Sequence, residues 1–267
     1  MVDDGQPLHL AELTQPEAQP LLRDGTVILV TGSVEQHGGH LPLGTDAFAA
    51  LTIAERVSAT LGAPLLQLSP VGVAPYHLPW PGSLSLSQTT FVGLLVDVCD
   101  GLARAGVTRV LIVNWHEGNT PSIRLGADTV QQRHRLRVVV AESHIITNGL
   151  FPDEMEFTHA GAMETAAVLA HRPSLVRLGD RIAGGDVDAG NAGHALFRRR
   201  DVFPVLRDFR EVSPTGWYGS PERATPERAA EIFAAVADHI VAGFREVCDE
   251  LSRFDEIATA DAAADGG

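Results

Sequence analysis

The residues with the clearest capacity for chemistry lie between Ser33 and Asp46, where Glu35, His37 and Asp46 follow one another closely. Side chains two residues apart in an extended chain point to one face, so Glu35 and His37 can share a site. Asp46 can return to that site after the glycine-rich turn. Carboxylate and imidazole ligands suit zinc, manganese or iron, and shared carboxylates suit a pair of ions. Alternatively, Glu35 and His37 could form a hydrogen-bonded loop pair, and Thr45 or Asp46 could cap the next helix.

A second candidate ligand, His116, follows a different apolar run, Val110–Val113. A lone histidine after a strand is more often structural than functional. Two strand ends that both carry metal-type ligands favour a shared site, because ligands bind at the carboxyl ends of strands in open α/β sheets. Glu117 is the weaker candidate, since adjacent side chains at a turn tend to diverge.

A third candidate pair is His159 and Glu164, at the start of a predicted helix. Taken alone, Glu164 reads as an exposed helical glutamate. Its small neighbours, Gly161, Ala162 and Ala166, instead indicate close packing. A carboxylate buried in such surroundings needs a partner.

Strand-like and helix-like segments alternate between residues 26 and 141, which predicts an α/β fold with a parallel or mixed sheet covered on both faces. The short apolar runs predict strands, and the three- and four-residue apolar spacings predict helices. The strands are Thr26–Thr31, Leu65–Leu68, Val110–Val113 and Val138–Ala141; the helices are Phe48–Leu61, Gln88–Ala105 and Pro121–His134.

The remaining segments complete one predicted domain over residues 1–257. We expect an irregular loop rich in proline and aromatic residues over Ser69–Ser87, typical of a pocket wall or a subunit contact. A loop over Ile145–Thr158, an unpatterned stretch over His171–Arg223 and a final helix over Thr225–Leu251 follow. Residues 258–267, rich in Ala, Asp and Gly, are predicted to be a disordered tail.

Composition excludes several function classes. The chain has 267 residues, 45 % of them hydrophobic, and a formal net charge of −14. That charge argues against nucleic-acid binding and gives no attraction to anionic membranes. No apolar run is long enough to span a bilayer, and Met1–Gln6 does not resemble a secretory leader. Cys99 and Cys248 lie far apart and are predicted to be free thiols. Together, these features lead us to expect a cytoplasmic protein.

Four segments in order resemble the creatininase (creatinine amidohydrolase) family. The first is Gly32–Gly38 with Leu41–Asp46, which is similar to the opening signature of that family. Pro81–Leu86 resembles its proline-glycine-threonine loop, and Asn114–Asn119 resembles its histidine-containing turn. The run from His159 to Thr165 resembles its histidine-alanine-glycine and glutamate-threonine-serine segment. The resemblance covers roughly residues 8–250.

The resemblance implies a three-layer α/β/α sandwich with a mostly parallel central sheet, usually assembled as a homohexamer. It implies an amidohydrolase with two divalent metal ions, for which we favour zinc over manganese or iron. Asp46 would bridge the ions, and His159 would be the catalytic histidine. The implied metal ligands are Glu35, His37, Asp46, His116 and Glu164.

Departures from the family pattern indicate a member other than creatininase itself. Creatininase proper has a ligand glutamate two residues after the histidine of the turn, where this chain has Gly118. Glu164 is therefore the favoured ligand, with Glu117 as a substitute ligand or acid–base group. The aromatic residues that would hold creatinine have no clear counterpart in Ile145–Thr158.

We therefore expect cleavage of a C–N bond in a small amide (a lactam, a formamide or a short peptide) by a metal-activated water, with His159 passing a proton to the leaving nitrogen. Candidate pocket residues are Tyr76, His77, Trp80 and Trp115. Two alternatives stay open: a family hydrolase or lyase acting on a non-amide ring in secondary or sugar metabolism, and a metal-binding scaffold without turnover.

Overall fold

The central sheet determines where the candidate residues meet. The computed structural model describes residues 5–183, 199 and 201–264. Within them, four parallel strands lie in the order β2-β1-β3-β4. They are β1 (Thr26–Thr31), β2 (Leu65–Ser69), β3 (Arg109–Asn114) and β4 (Arg137–Glu142). The predicted strands are thus found, each within two residues of its expected ends.

Helices cover both faces of the sheet. They are α1 (Gln15–Leu22), α2 (Thr45–Leu61), α3 (Gln88–Arg104), α4 (Thr120–Arg133), α5 (Ser143–Leu150), α6 (Ala162–His171) and α7 (Pro226–Ala264). One face packs against α2, α6 and α7, and the other packs against α3 and α4. This is the expected α/β fold with three layers.

Alternation along the strands supplies both cores. In β1, Ile28 and Val30 face one layer of helices, whereas Val27 and Leu29 face the other, and all four are fully buried. Because successive side chains of a strand point to opposite faces, a sheet covered on both sides requires an uninterrupted apolar run. The run Val27–Val30 meets that requirement.

The strand order also creates a crevice. After β2 the chain crosses to the other side of β1 and forms β3, so the connections from β1 and β3 leave in opposite directions. The two strands pair in register up to Thr31 and Asn114. Their carboxyl ends therefore lie side by side at a topological switch point, which is where ligands bind in such sheets.

Two predicted boundaries are wrong. The segment expected to be a loop over Ile145–Thr158 begins as helix α5. The sequence pattern did not indicate this helix, because β-branched Ile145 and Ile146 and nearby Gly149 have low helix propensity. Partly buried Ile146 packs against the core that contains α7.

The final helix extends to Ala264 rather than ending near Leu251. The alanines of this segment have the highest helix propensity of any residue. A disordered tail over 258–267 stays a prediction. Residues 265–267 lie outside the described part of the chain. Among the described helices, none combines the length and apolarity that crossing a bilayer requires.

Candidate metal centre

The loop after β1 brings Glu35 and His37 into the crevice. The amide of Glu35 donates to the carbonyl of Leu43 at 2.9 Å, which closes the loop on itself. The Nδ1 atom of His37 lies 3.1 Å from the backbone oxygen of Glu35. Because a carbonyl only accepts, Nδ1 carries a proton, which leaves Nε2 as the ligand nitrogen. His37 thus turns a ligand nitrogen toward the crevice, and it has no exposed surface.

Asp46 lies in the first turn of α2 and joins the two strand ends. One of its carboxylate oxygens is 3.3 Å from Nε2 of His37, and the other is 3.1 Å from Nδ1 of His116. The helix cap is Gly44, without any side-chain cap bond, and the Thr45 hydroxyl donates to Pro42 instead. The alternative that Thr45 or Asp46 caps this helix is therefore wrong.

His116 follows β3 and faces the same point. Its Nε2 atom lies 3.0 Å from the backbone oxygen of Val73, so Nε2 carries the proton and Nδ1 is the ligand atom. Nδ1 is also 3.5 Å from Oε2 of Glu35. A Cβ atom at Gly118 would approach the Val73 oxygen to 2.3 Å and the His116 Nε2 atom to 2.5 Å. A glycine at 118 is therefore needed for this hydrogen bond.

Glu164 reaches the crevice from the first turn of α6. Its Oε2 atom accepts the backbone N–H of Ala160 and lies 3.4 Å from Nε2 of His37. Glu164 is 8 % exposed, so the interpretation as an exposed helical glutamate is wrong. The small residues on either side of it allow α6 to pack closely against α2 and α7.

These side chains form groups that could each hold a metal ion, with ligand atoms all within 4.8 Å of one another. One group is Glu35, Asp46 and His116; another is His37, Asp46 and Glu164; a third joins Glu35, His37 and His159. Asp46 belongs to the first two. Glu117, which is exposed, belongs to none of the groups found among the described residues.

The donor set fits a divalent cation. Oε2 of Glu35 and Nε2 of His37 are buried and have no hydrogen-bond partner in the described part of the chain. Burying polar atoms without partners is costly unless something else satisfies them. Both atoms point into the crevice, where carboxylate and imidazole ligands suit zinc, manganese or iron.

Protons occupy the crevice in the absence of an ion. Burial raises the pKa of Glu35 to about 8, although the charge on His116 opposes this. Burial would lower the pKa of His116, but Glu35 and Asp46 outweigh it and raise that pKa to about 10. The pKa of Asp46 is lowered, because the two histidines outweigh the effect of burial. Ligand protons must leave when a cation binds.

His159 lies beside this group. Its Nε2 atom is 2.8 Å from the backbone oxygen of Gln36, and its Nδ1 atom is 3.7 Å from Oε2 of Glu164. Its ring centroid is 4.5 Å from that of His37. Burial lowers the pKa of His159 to about 4, so the imidazole is neutral near pH 7. A neutral imidazole can accept a proton at Nδ1.

Asparagine side chains hold the two strand ends together. Asn114 donates to the backbone oxygen of His116 at 2.9 Å and to the Glu142 carboxylate at 2.7 Å. Asn119 accepts the Val73 amide and donates to the oxygen of Gly32. These bonds fix the backbone around His116, as expected of groups that orient a metal ligand.

A cavity of about 550 Å³ opens onto the crevice. Of the predicted pocket residues, Tyr76, His77 and Trp115 line it, as does Glu117. Trp115 is nevertheless 2 % exposed and stacks on Phe233 of α7, so it belongs largely to the core. Trp80 is not among the lining residues and instead packs beside Tyr76 against the cluster around Phe209.

Several residues around the cavity and the crevice were not predicted from the sequence. Phe209 and Tyr218 line the cavity from the stretch His171–Arg223, which has no periodic pattern to mark them. Phe209 lies against both His77 and His159. Gln36 lies inside the first motif, between the candidate ligands Glu35 and His37, and this position could have marked it as part of the site.

Comparison with known proteins identifies the family. The Creatininase family model (creatinine amidohydrolase) matches residues 11–244. Creatinine amidohydrolase of Pseudomonas putida is 27 % identical, covering 90 % of this chain and 96 % of that protein. The mycofactocin precursor peptide peptidase of Mycobacterium ulcerans is 30 % identical, covering 81 % and 83 %. The 3-dehydro-scyllo-inosose hydrolase of Thermotoga maritima is 31 % identical, covering 91 % and 85 %.

Solved structures of creatininases have the same fold as this chain. The structure "Creatininase Mn" matches with a TM-score of 0.76 and 26 % identity, covering 90 % of this chain and 98 % of the other. A mutant creatininase of the Zn-Zn type matches with a TM-score of 0.74 at the same identity and coverage. The low identities are consistent with a member other than creatininase itself. Residues 11–244 account for most of the chain, which therefore belongs to the creatininase family of hydrolases.

Proposed function

We propose that the protein is a metal-dependent amidohydrolase that cleaves a C–N bond in a small cyclic or linear amide. The observation that carries this proposal is the position of Asp46, whose two carboxylate oxygens face different histidines at the ends of two adjacent strands. A carboxylate placed in this way can be shared by two cations. His159 lies within reach of the same point.

Two divalent ions would be held by the two groups that share Asp46: Glu35 and His116 on one side, His37 and Glu164 on the other. When bound, the ions supply Lewis acidity and lower the pKa of water. Zinc is our first choice, with manganese or iron as alternatives. The candidate ligand side chains are at most 8 % exposed, and this burial strengthens electrostatic interactions with a substrate.

The protein's own contribution is to position groups and move a proton. Nδ1 of neutral His159 accepts the proton of the attacking water and returns it to the leaving nitrogen. Its pKa of about 4 leaves the imidazole unprotonated near pH 7, as a proton acceptor must be. Asn114 and Val73 hold His116 in place, while the cavity wall formed with Tyr76 and Phe209 admits the substrate.

A second candidate function is hydrolysis of a bond in a non-amide ring. The relative from Thermotoga maritima, at 31 % identity, is named a hydrolase of 3-dehydro-scyllo-inosose. Gly118 supports this candidate indirectly, because it departs from the ligand pattern of creatininase proper. Turnover on such a ring without any amide cleavage would favour it.

We also propose a cytoplasmic homo-oligomer, a hexamer by family resemblance. Val202, Phe203 and Val205 are exposed apolar side chains close together in the chain, and Phe203 and Val205 line the cavity. Exposed apolar groups favour self-association. Light scattering of the purified chain measures the assembly directly.

A substrate screen tests the activity. The zinc-loaded protein is offered lactams, formamides, short peptides and cyclic ketones, and released amine or acid is measured by mass spectrometry. We expect amide cleavage by the wild type and its loss in His159→Ala, with Asp128→Asn, a substitution on an exposed face of α4, as the active control. Cleavage of ketones alone would contradict the amidohydrolase assignment.

A further inference from the structure

The Gln36 side chain lies between two imidazoles that face the metal centre. Its amide nitrogen is 3.0 Å from Nδ1 of His77 and 3.1 Å from Nε2 of His159. Its backbone oxygen is 2.8 Å from the same nitrogen of His159. Gln36 is 4 % exposed, so these contacts are made away from water.

The orientation of the Gln36 amide is fixed by two backbone groups. Its nitrogen lies 2.7 Å from the oxygen of Gly216, and its oxygen accepts the N–H of Gly38 at 3.1 Å. Exchanging the amide oxygen and nitrogen would place two acceptors against each other at Gly216 and two donors at Gly38. A Cβ atom at Gly216 would come within 2.3 Å of the Gln36 oxygen, and the backbone there has a φ of +82°. Glycine at 216 is thus required for this arrangement.

The backbone and the side chain of Gln36 together assign a proton to each histidine. The backbone carbonyl of Gln36 accepts from Nε2 of His159, so Nε2 carries the proton there and Nδ1 keeps its lone pair. One hydrogen of the Gln36 amide goes to Gly216. The other goes to Nδ1 of His77, which must therefore be unprotonated. Neutral His77 then carries its proton on Nε2.

The Nε2 atom of His77 faces a metal-ligand carboxylate. It lies 3.5 Å from Oε1 of Glu35, while Oε2 of Glu35 faces His116. The other tautomer would set the His77 lone pair against the carboxylate oxygen and two hydrogens against each other at Gln36. An N–H group facing Oε1 instead attracts that oxygen and leaves Oε2 for the metal centre.

We propose that Gln36 is a positioning residue that holds His77 and His159 in the same tautomer, with the proton on Nε2, while the two rings turn different nitrogens toward the metal-centre carboxylates. His77 presents an N–H donor that orients Glu35, and His159 presents a lone pair that accepts a proton. The importance of this pairing for turnover rests on the proposed function, but the tautomers themselves do not.

Solid-state NMR of the full-length protein labelled with 15N-histidine tests the tautomers, with and without added zinc. The signals are assigned by comparison with His77→Gln and His159→Gln variants. We expect a protonated Nε2 and an unprotonated Nδ1 for both residues in the wild type. In Gln36→Met we expect His77 to become a mixture of tautomers, whereas the exposed control Gln67→Met leaves it unchanged. A wild-type His77 protonated on Nδ1 would overturn the proposal and indicate that His77 is itself a metal ligand.

Zinc affinity tests the orientation of Glu35. In His77→Gln, the side-chain amide nitrogen can occupy the place of the imidazole Nε2 atom that faces Glu35. In His77→Asn, the shorter side chain places its amide nitrogen where Nδ1 was. We therefore expect His77→Asn to weaken zinc binding, measured by competition with a chelator, by about tenfold or more relative to His77→Gln. His134→Asn, at a surface ion pair with Asp100, is the control and should bind zinc as the wild type does. Equal affinities in the two His77 variants would refute the orienting role, while a wild type that binds no zinc would refute the proposed function instead.

Discussion

At the residue scale, the geometry of the candidate centre depends on which nitrogen each histidine turns toward it. His37 and His116 each donate one ring N–H to a backbone oxygen, of Glu35 and of Val73 respectively. The opposite ring nitrogens then converge on Asp46. Backbone oxygens are ideal for this purpose because they accept hydrogen bonds and cannot donate them.

Gly118 is predicted to protect one of these bonds. In Gly118→Ala, the added methyl group would collide with His116 and the Val73 oxygen. We expect zinc affinity to fall about 10–100-fold, as for other losses of a group that orients a metal ligand. Gly118→Glu should bind zinc no better, because its Cβ meets the same obstacle. Competition titration against Gly93→Ala, whose Cβ would meet no atom within 4 Å, checks this; unchanged affinity in Gly118→Ala would contradict it.

His159 is predicted to act in turnover rather than in metal binding. His159→Ala should keep the zinc content of the wild type, because the two groups that share Asp46 do not include it. Its turnover should fall by about 10²–10⁴-fold, the usual contribution of a general acid–base group. Elemental mass spectrometry and steady-state kinetics measure the two quantities separately. Full activity in this variant would remove the proton-transfer role.

At the element scale, the sequence identifies the strands and their ends well. The run Val27–Val30 is short, apolar and β-branched, and the motifs follow it and the run Val110–Val113 directly. The strand order could not be read from these patterns, because periodicity describes each segment and not its neighbours. The order decides that β1 and β3 are adjacent, and hence that Glu35 meets His116.

The packing of α7 against the sheet supports the loop after β3. Phe233 is fully buried and stacks on Trp115, with ring centroids 5.4 Å apart. We expect Phe233→Ala to lower the free energy of unfolding by about 3–5 kcal/mol, measured by urea denaturation. Phe254→Ala, in the same helix but 61 % exposed, is the control and should change it by less than about 0.5 kcal/mol. Equal effects of the two substitutions would show that α7 does not pack as described.

At the scale of the whole molecule, the long-range contacts are what the sequence could not provide. The candidate ligands Glu35 and Glu164 are separated by nearly half of the chain, and only the family resemblance linked them. Phe209 and Tyr218 reach the cavity from a stretch whose described residues form turns and short 3₁₀ segments. Such a stretch lacks the periodicity from which burial is inferred. A single domain over residues 1–257 stays a prediction.

Metal removal should destabilise the molecule, because the ligands come from β1, β3, α2 and α6 regions that are far apart in the chain. A ligand present at 100 times its dissociation constant stabilises the native state by about 2.7 kcal/mol. For a chain of this size that corresponds to a fall in Tm of roughly 5–10 °C after chelation. Calorimetry with and without a chelator measures it, and Asp46→Asn should respond little. A wild type whose Tm is insensitive to both chelator and zinc would contradict this.

The most direct test of the account is the zinc content per chain of the wild type and of Asp46→Asn, each equilibrated with zinc and analysed by elemental mass spectrometry. The exposed substitution Asp128→Asn serves as the control, and circular dichroism verifies that each variant is folded. Because one carboxylate serves both groups, we expect about two ions per wild-type chain and loss of most of the metal in Asp46→Asn. A wild type that takes up fewer than two ions, or a folded Asp46→Asn that keeps both, would contradict a shared two-metal centre.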